Sequence, residues 1–128
     1  MKKIAIGCLL LALLFGGYGL YATLTRVKTI PPELIGVWVS DAPGYGDRYM
    51  EFEKERLTIG TGAESIELNF IEEVRAREGR EGTRYHIRYR NVRRLPLQLM
   101  LLYRPDRGGS FTIRHLEEVV WRRKKSAD

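Results

Sequence analysis

Cysteine is almost missing from this chain: Cys8 stands alone among 128 residues. No disulfide within the chain can brace the fold, and a cysteine-rich zinc site is excluded. Histidine is nearly as scarce, with only His86 and His115. His115 and Glu117 have a two-residue spacing that lets two ligands share a strand face, but zinc sites take three or four ligands and no third lies nearby. His86 falls among arginines that disfavour a cation. Neither a metal nor another cofactor is expected. Helical spacing is also lacking beyond residue 30, and no second uncharged run reaches membrane length. Catalytic signatures are missing too. Gly44-Tyr45-Gly46-Asp47-Arg48-Tyr49 opens like a dinucleotide fingerprint, yet it lacks the third glycine and leads into a strand where a helix is required. No Ser, His and Asp set reads as a triad, so no enzyme is indicated.

What the chain does have is one uncharged stretch of 22 residues, 4–25. At ~1.5 Å per residue it reaches ~33 Å, enough to cross a bilayer core. Lipidation at Cys8 is disfavoured, because only residues 4–7 would precede it as a hydrophobic region. Cleavage after Leu20-Tyr21-Ala22 is the alternative to a retained helix. Retention is favoured by the length of the run and by Tyr18 and Tyr21, which suit a membrane–water interface. Lys2, Lys3 and the N-terminal amine outweigh Arg26 and Lys28 by one charge, which places the N-terminus in the cytoplasm and the domain in the periplasm. The expected location is therefore the inner membrane, crossed once. Four of the cations behind the net charge of +6 lie in the first thirty residues, and removing those 4 leaves +2 on the remainder. Nucleic acid is not the expected partner. The organisation reads as an anchor over 1–28, a Pro-rich connector over 29–34, a β-domain over 35–123 and a basic tail over 124–128.

The β-domain shows strand after strand: 35–40, 48–53, 56–60, 65–77, 83–90, 95–103, 110–114 and 119–123, separated by Gly-, Pro- and Asp-rich turns. Alternation puts Tyr85, Ile87 and Tyr89 on one face and Arg84, His86, Arg88 and Arg90 on the other. Ile66, Leu68, Phe70, Val74 and Ala76 read as a second inward set, interrupted at Glu72, where a bulge is expected. Leu97, Leu99, Leu101 and Tyr103 form a third. About eight antiparallel strands with one apolar face each predict a small up-and-down barrel, which leaves no edge unpaired.

Gly36-Val37-Trp38 on the first of these strands resembles the G-x-W signature of lipocalin-like proteins. The resemblance implies that Trp38 closes one barrel end beneath an arginine of the last strand, where Trp121-Arg122-Arg123 lies. Together with residues 32–38, 48–52 and 57–62, the pattern is also similar to small uncharacterised bacterial membrane-anchored proteins. The motif's usual leading helix is absent from the sequence, and the domain is shorter than a typical lipocalin, which points to a narrow interior.

The outward arginines are the strongest binding feature. Arg75, Arg77, Arg84, Arg88 and Arg90 share the solvent side of one predicted hairpin, and residues 71–128 hold 15 basic and 8 acidic side chains against 3 and 8 in 31–70. Such polarisation suits an anionic lipid, an anionic glycan or an acidic face of a membrane-protein partner. Cross-strand pairing, as of Glu73 with Arg88, is the competing use of the same charges. The expected function is a membrane-tethered, extracytoplasmic binding module. The alternatives are a lipocalin-type carrier of a small apolar ligand, with Tyr85, Tyr89 and Tyr103 facing it, and a structural subunit of a membrane complex. A reporter active only outside the cytoplasm, fused after Asp128, is expected to be active on an uncleaved product; activity only for a cytoplasmic reporter would reverse the orientation.

Overall fold

The computed structural model describes residues 25–62 and 65–125. The expected membrane span lies outside them except for Thr25, and among the described residues no helix is long and apolar enough to cross a membrane. Nine strands form: β1 (Thr25–Val27), β2 (Gly36–Ser40), β3 (Tyr49–Phe52), β4 (Arg56–Gly60), β5 (Ile66–Glu78), β6 (Thr83–Asn91), β7 (Pro96–Arg104), β8 (Ser110–Ile113) and β9 (Leu116–Arg123). Strands β2 to β9 pair in sequence order, and β9 returns to β2, so the meander closes into an eight-stranded antiparallel barrel. The eight strands read from the sequence are all present. β1 is the addition, and it pairs antiparallel with the far end of β5, Thr25 opposite Ala76.

The barrel has two distinct ends. At the lower end lie the start of β1, the β5–β6 turn, the β7–β8 turn with its short 3₁₀ segment (Asp106–Gly108), and the C-terminal end of β9. The β2–β3, β6–β7 and β8–β9 turns form the upper end. Inside, Trp38, Phe52, Phe111, Leu57, Val74 and Ile87 are fully buried. Phe111 is the hub, with the rings of Trp38, Phe52 and Trp121 centred 4.9, 6.0 and 6.1 Å away.

β5 corrects one reading of the sequence. Its register shifts between Ile71 and Glu73, where the bulge was expected, but the shift also inverts which residues face inward before it. Because side chains alternate with period two, one extra residue exchanges the two faces. Asn69 is consequently buried and Val74 stays buried, whereas Phe70 is 46% exposed and Ile66 61% exposed. The bulge also marks where β5 changes partners, from β4 over Ile66–Phe70 to β1 over Val74–Ala76.

The connector likewise does more than extend. Pro32–Leu34 make one 3₁₀ turn, a short counterpart of the leading helix that the sequence did not reveal, and Leu34 is fully buried. Proline suits the first turn of such a segment, where its missing N–H is not needed. Trp38 Nε1 donates to the Leu34 carbonyl oxygen at 2.9 Å. Over the face of the indole lies Arg123, its guanidinium carbon 4.5 Å from the ring centroid. Arg123 Nη2 donates to the Glu33 carbonyl oxygen at 2.7 Å, and Nη1 donates to that of Ile35. A β-carbon on Gly36 would stand 2.6 Å from Arg123 Nη1, and φ there is +134°. Only glycine leaves room for this contact in that backbone conformation.

Arg123→Ala and Gly36→Ala are each expected to destabilise the barrel by ~1–3 kcal/mol. The double variant should cost little more than the worse single one, since both act on one contact. Denaturant unfolding followed by tryptophan fluorescence checks this, and full additivity would show that the two residues act separately.

Candidate functional site

Strand register assembles the outward side chains of β5 to β8 into rows. Arg77 lies opposite Arg84, Arg84 opposite Leu102, and Leu102 opposite Thr112. The adjacent row runs from Arg75 to His86 to Met100, and the Arg114 backbone N–H donates to the Met100 carbonyl oxygen at 2.9 Å. Over these rows runs an open groove of about 840 Å³, lined by five arginines (Arg75, Arg77, Arg84, Arg104, Arg114) and His86 against Glu81 and Glu117. Met100 and Leu102 give it an apolar strip.

The arginines marked by the sequence fall into two groups. Glu73 gathers three cations, with Arg75 Nε at 2.8 Å, Arg88 Nη1 at 3.3 Å and Arg26 Nε at 3.9 Å. The hydrogen bond from Arg75, helped by the nearby charges of Arg75, Arg26 and Arg88, holds the Glu73 carboxyl below its ordinary range, against a smaller opposing effect of burial. Arg90 pairs with Glu72 and also donates to the Arg94 carbonyl oxygen. Arg77 and Arg84 are different: among the described residues neither has a carboxylate within 4.0 Å, although they face each other across the ladder. Like charges directly opposite are unfavourable unless something negative sits between them.

Arg104 and Arg114 complete the groove and were not singled out from the sequence. Arg104 ends β7 and Arg114 follows β8, so their approach depends on how β7 and β8 align. One signal was legible: Met100 and Leu102 are apolar on the outward side of a strand whose inward side is already apolar.

Inside the barrel, Tyr85 is buried and its hydroxyl donates to the Glu33 carboxylate. Burial, then Glu33, pushes its phenol far above the ordinary value. Tyr89 is shifted upward as well, by burial first and by Glu67 second. Tyr103 meets Trp38 edge-on at 6.4 Å. Asn69 Nδ2 donates to the Leu57 carbonyl oxygen at 3.2 Å, and among the described residues no buried side-chain nitrogen or oxygen lacks a partner. Trp121 stacks on Phe111 and is capped by the edge of Tyr45 from the β2–β3 loop.

His115 and Glu117 do not share a strand face. His115 sits in the β8–β9 turn at φ +70°, and the Glu117 carboxylate accepts its backbone N–H at 3.1 Å. That hydrogen bond is the main cause of the lowered Glu117 carboxyl. Among the described residues no three His, Cys, Asp or Glu side chains converge as a ligand set.

The depressed Glu73 carboxyl has a defined pH signature. Its contribution is present above the unfolded-state value and is lost as pH falls through the folded-state value. Carboxyl NMR should therefore place the Glu73 midpoint below the ordinary glutamate value of ~4.3. A midpoint at or above that value would show that the three-arginine cluster does not form in solution.

Comparison with protein-family models, curated proteins and solved structures finds no match to this chain. What the groove does has to follow from its own chemistry.

Proposed function

We propose that this chain is a membrane-tethered β-barrel of lipocalin-like form, similar to small bacterial membrane-anchored proteins, which binds an anionic partner through its outer wall on the extracytoplasmic side. The observation that carries the reading is the groove across β5 to β8, where Arg77, Arg84, Arg104 and Arg114 converge without carboxylate partners among the described residues. Guanidinium groups suit phosphate, sulfate and carboxylate because their planar fork donates two parallel hydrogen bonds. The Met100–Leu102 strip adds apolar contact beside them. Support for the wall over the interior comes from packing. Trp38, Phe52 and Phe111 occupy the interior, and among the described residues every buried side-chain nitrogen or oxygen already has a partner. A carrier needs interior space and unsatisfied groups to meet its cargo.

The probe for this reading is inorganic polyphosphate, titrated at physiological salt against the full chain in nanodiscs of neutral phosphatidylcholine. Arg77→Ala with Arg84→Ala is expected to weaken binding by about tenfold, at roughly fivefold or less per cation. Arg88→Ala with Arg90→Ala should cost less, because Glu73 and Glu72 already hold those two. Absence of binding by the parent chain, or equal loss in both double variants, would overturn the assignment of the groove.

A further inference from the structure

The groove runs towards the lower end of the barrel, and that end is where the chain arrives from residues 4–25. β1 leaves no slack there. Thr25, the last residue of the uncharged run in the sequence, is already in register with Ala76. β5 continues past this pair through Arg77 and Glu78 to the turn at Gly79–Gly82. At ~3.3 Å per residue the hairpin reaches roughly 10 Å beyond Thr25. One headgroup layer is about 5–7 Å deep, taken as half the difference between the full bilayer and its hydrocarbon core. With Thr25 at the outer edge of that layer, a hairpin of this reach would pass through the headgroups and bring Arg77 and Arg84 level with them.

The charges at this end match that position. Arg77, Arg80 and Arg84 lie on or next to the β5–β6 turn, and Arg104 and Arg107 on the neighbouring β7–β8 turn. Lys124 and Lys125 follow β9 at the same end, where the Lys124 backbone N–H donates to the Val37 carbonyl oxygen. The β3–β4 turn at the same end adds Lys54 and Arg56 against Glu53 and Glu55, and with Glu78, Glu81 and Asp106 the turns there carry nine cations to five acids. The described turns at the upper end are close to balance, with Arg48, Arg93, Arg94 and Arg114 against Asp41, Asp47 and Glu117. Only charges within a Debye length, ~8–10 Å, act strongly on a surface, so a bilayer at the end where the chain enters would act on the lower turns and not on the upper ones.

Resting on the proposed anion-binding groove, we infer that its partner is the anionic phospholipid headgroup layer of the same bilayer that holds residues 4–25. The β5–β6 hairpin and the β7–β8 turn dock the barrel onto that surface. The barrel then does not swing on its tether. It is seated by its lower end, with Arg77 and Arg84 against phosphate and the Met100–Leu102 strip rising away from the interface.

The test uses the full chain with Cys8→Ser, carrying either Gly79→Cys at the hairpin tip or Val92→Cys at the opposite end, each labelled with a fluorophore. The chain is reconstituted into vesicles of phosphatidylcholine alone or with one-third phosphatidylglycerol, and a headgroup-spin-labelled lipid serves as quencher. Quenching at position 79 is expected to exceed that at 92 severalfold and to rise with phosphatidylglycerol. Arg77→Glu with Arg84→Glu should abolish the rise, whereas Arg77→Lys with Arg84→Lys should keep most of it, which separates charge from loss of fold. Equal quenching at the two ends, or no dependence on phosphatidylglycerol, overturns the docking. Polyphosphate binding in neutral nanodiscs together with quenching that does not depend on phosphatidylglycerol overturns the bilayer assignment and leaves the groove standing; if polyphosphate does not bind, the underlying reading has failed first.

Discussion

The guanidinium of Arg123 holds together three things that sequence separates widely: the carbonyls of Glu33 and Ile35, the face of Trp38, and the end of the last strand. A meander has two free edges until its first and last strands meet, and an open sheet of this length would expose a row of unpaired backbone groups. β2 and β9 meet over the short ladder of Trp38–Ser40 with Trp121–Arg123, continued by the Lys124 N–H to the Val37 carbonyl oxygen. Arg123 extends that short ladder with hydrogen bonds from its side chain, and its charge makes each of them stronger than a neutral bond. Gly36 leaves it the space, and Leu34 plugs the barrel beneath. The aromatic hub around Phe111 packs between the walls that this closure joins, with Trp38 on β2 and Trp121 on β9.

Interior and exterior follow opposite electrostatic rules. Within the wall every described polar side chain that is buried is bonded, Tyr85 to Glu33 and Asn69 to Leu57 among them. Outside, one carboxylate serves Arg26, Arg75 and Arg88, while Arg77 and Arg84 face each other with none within 4.0 Å among the described residues. A fold gains little from exposed ion pairs and loses by setting like charges opposite one another. The Arg77–Arg84 pair is thus a poor arrangement for stability alone, and that is the physical ground of the proposed anion-binding surface.

Much of the architecture was legible in the amino-acid order. Tyr85, Ile87 and Tyr89 against Arg84, His86 and Arg88 is a pattern that only a half-buried strand satisfies, and the Gly- and Pro-rich punctuation separated eight such strands. The first half of β5 resisted, because a single extra residue at the bulge reverses every side chain before it while leaving composition unchanged. Asn69 therefore looked exposed and Phe70 buried. β1 was hidden by its length: three residues at the edge of an apolar run carry no period. The basic face was legible on β5 and β6, where one hairpin fixes the register. Arg104 and Arg114 join it through tertiary alignment of β7 with β8, which no local spacing encodes.

β1 also decides how the barrel bears load. It lies along β5, with hydrogen bonds running across the two strands. Tension applied to the chain before Thr25, along the strand direction, stresses those bonds together in shear. Were β1 to leave β5 at right angles, the same tension would peel them apart one at a time. Three paired residues thus work as a mechanical clip, placing strain on the barrel wall and sparing the Pro31–Leu34 turn and the plug it carries.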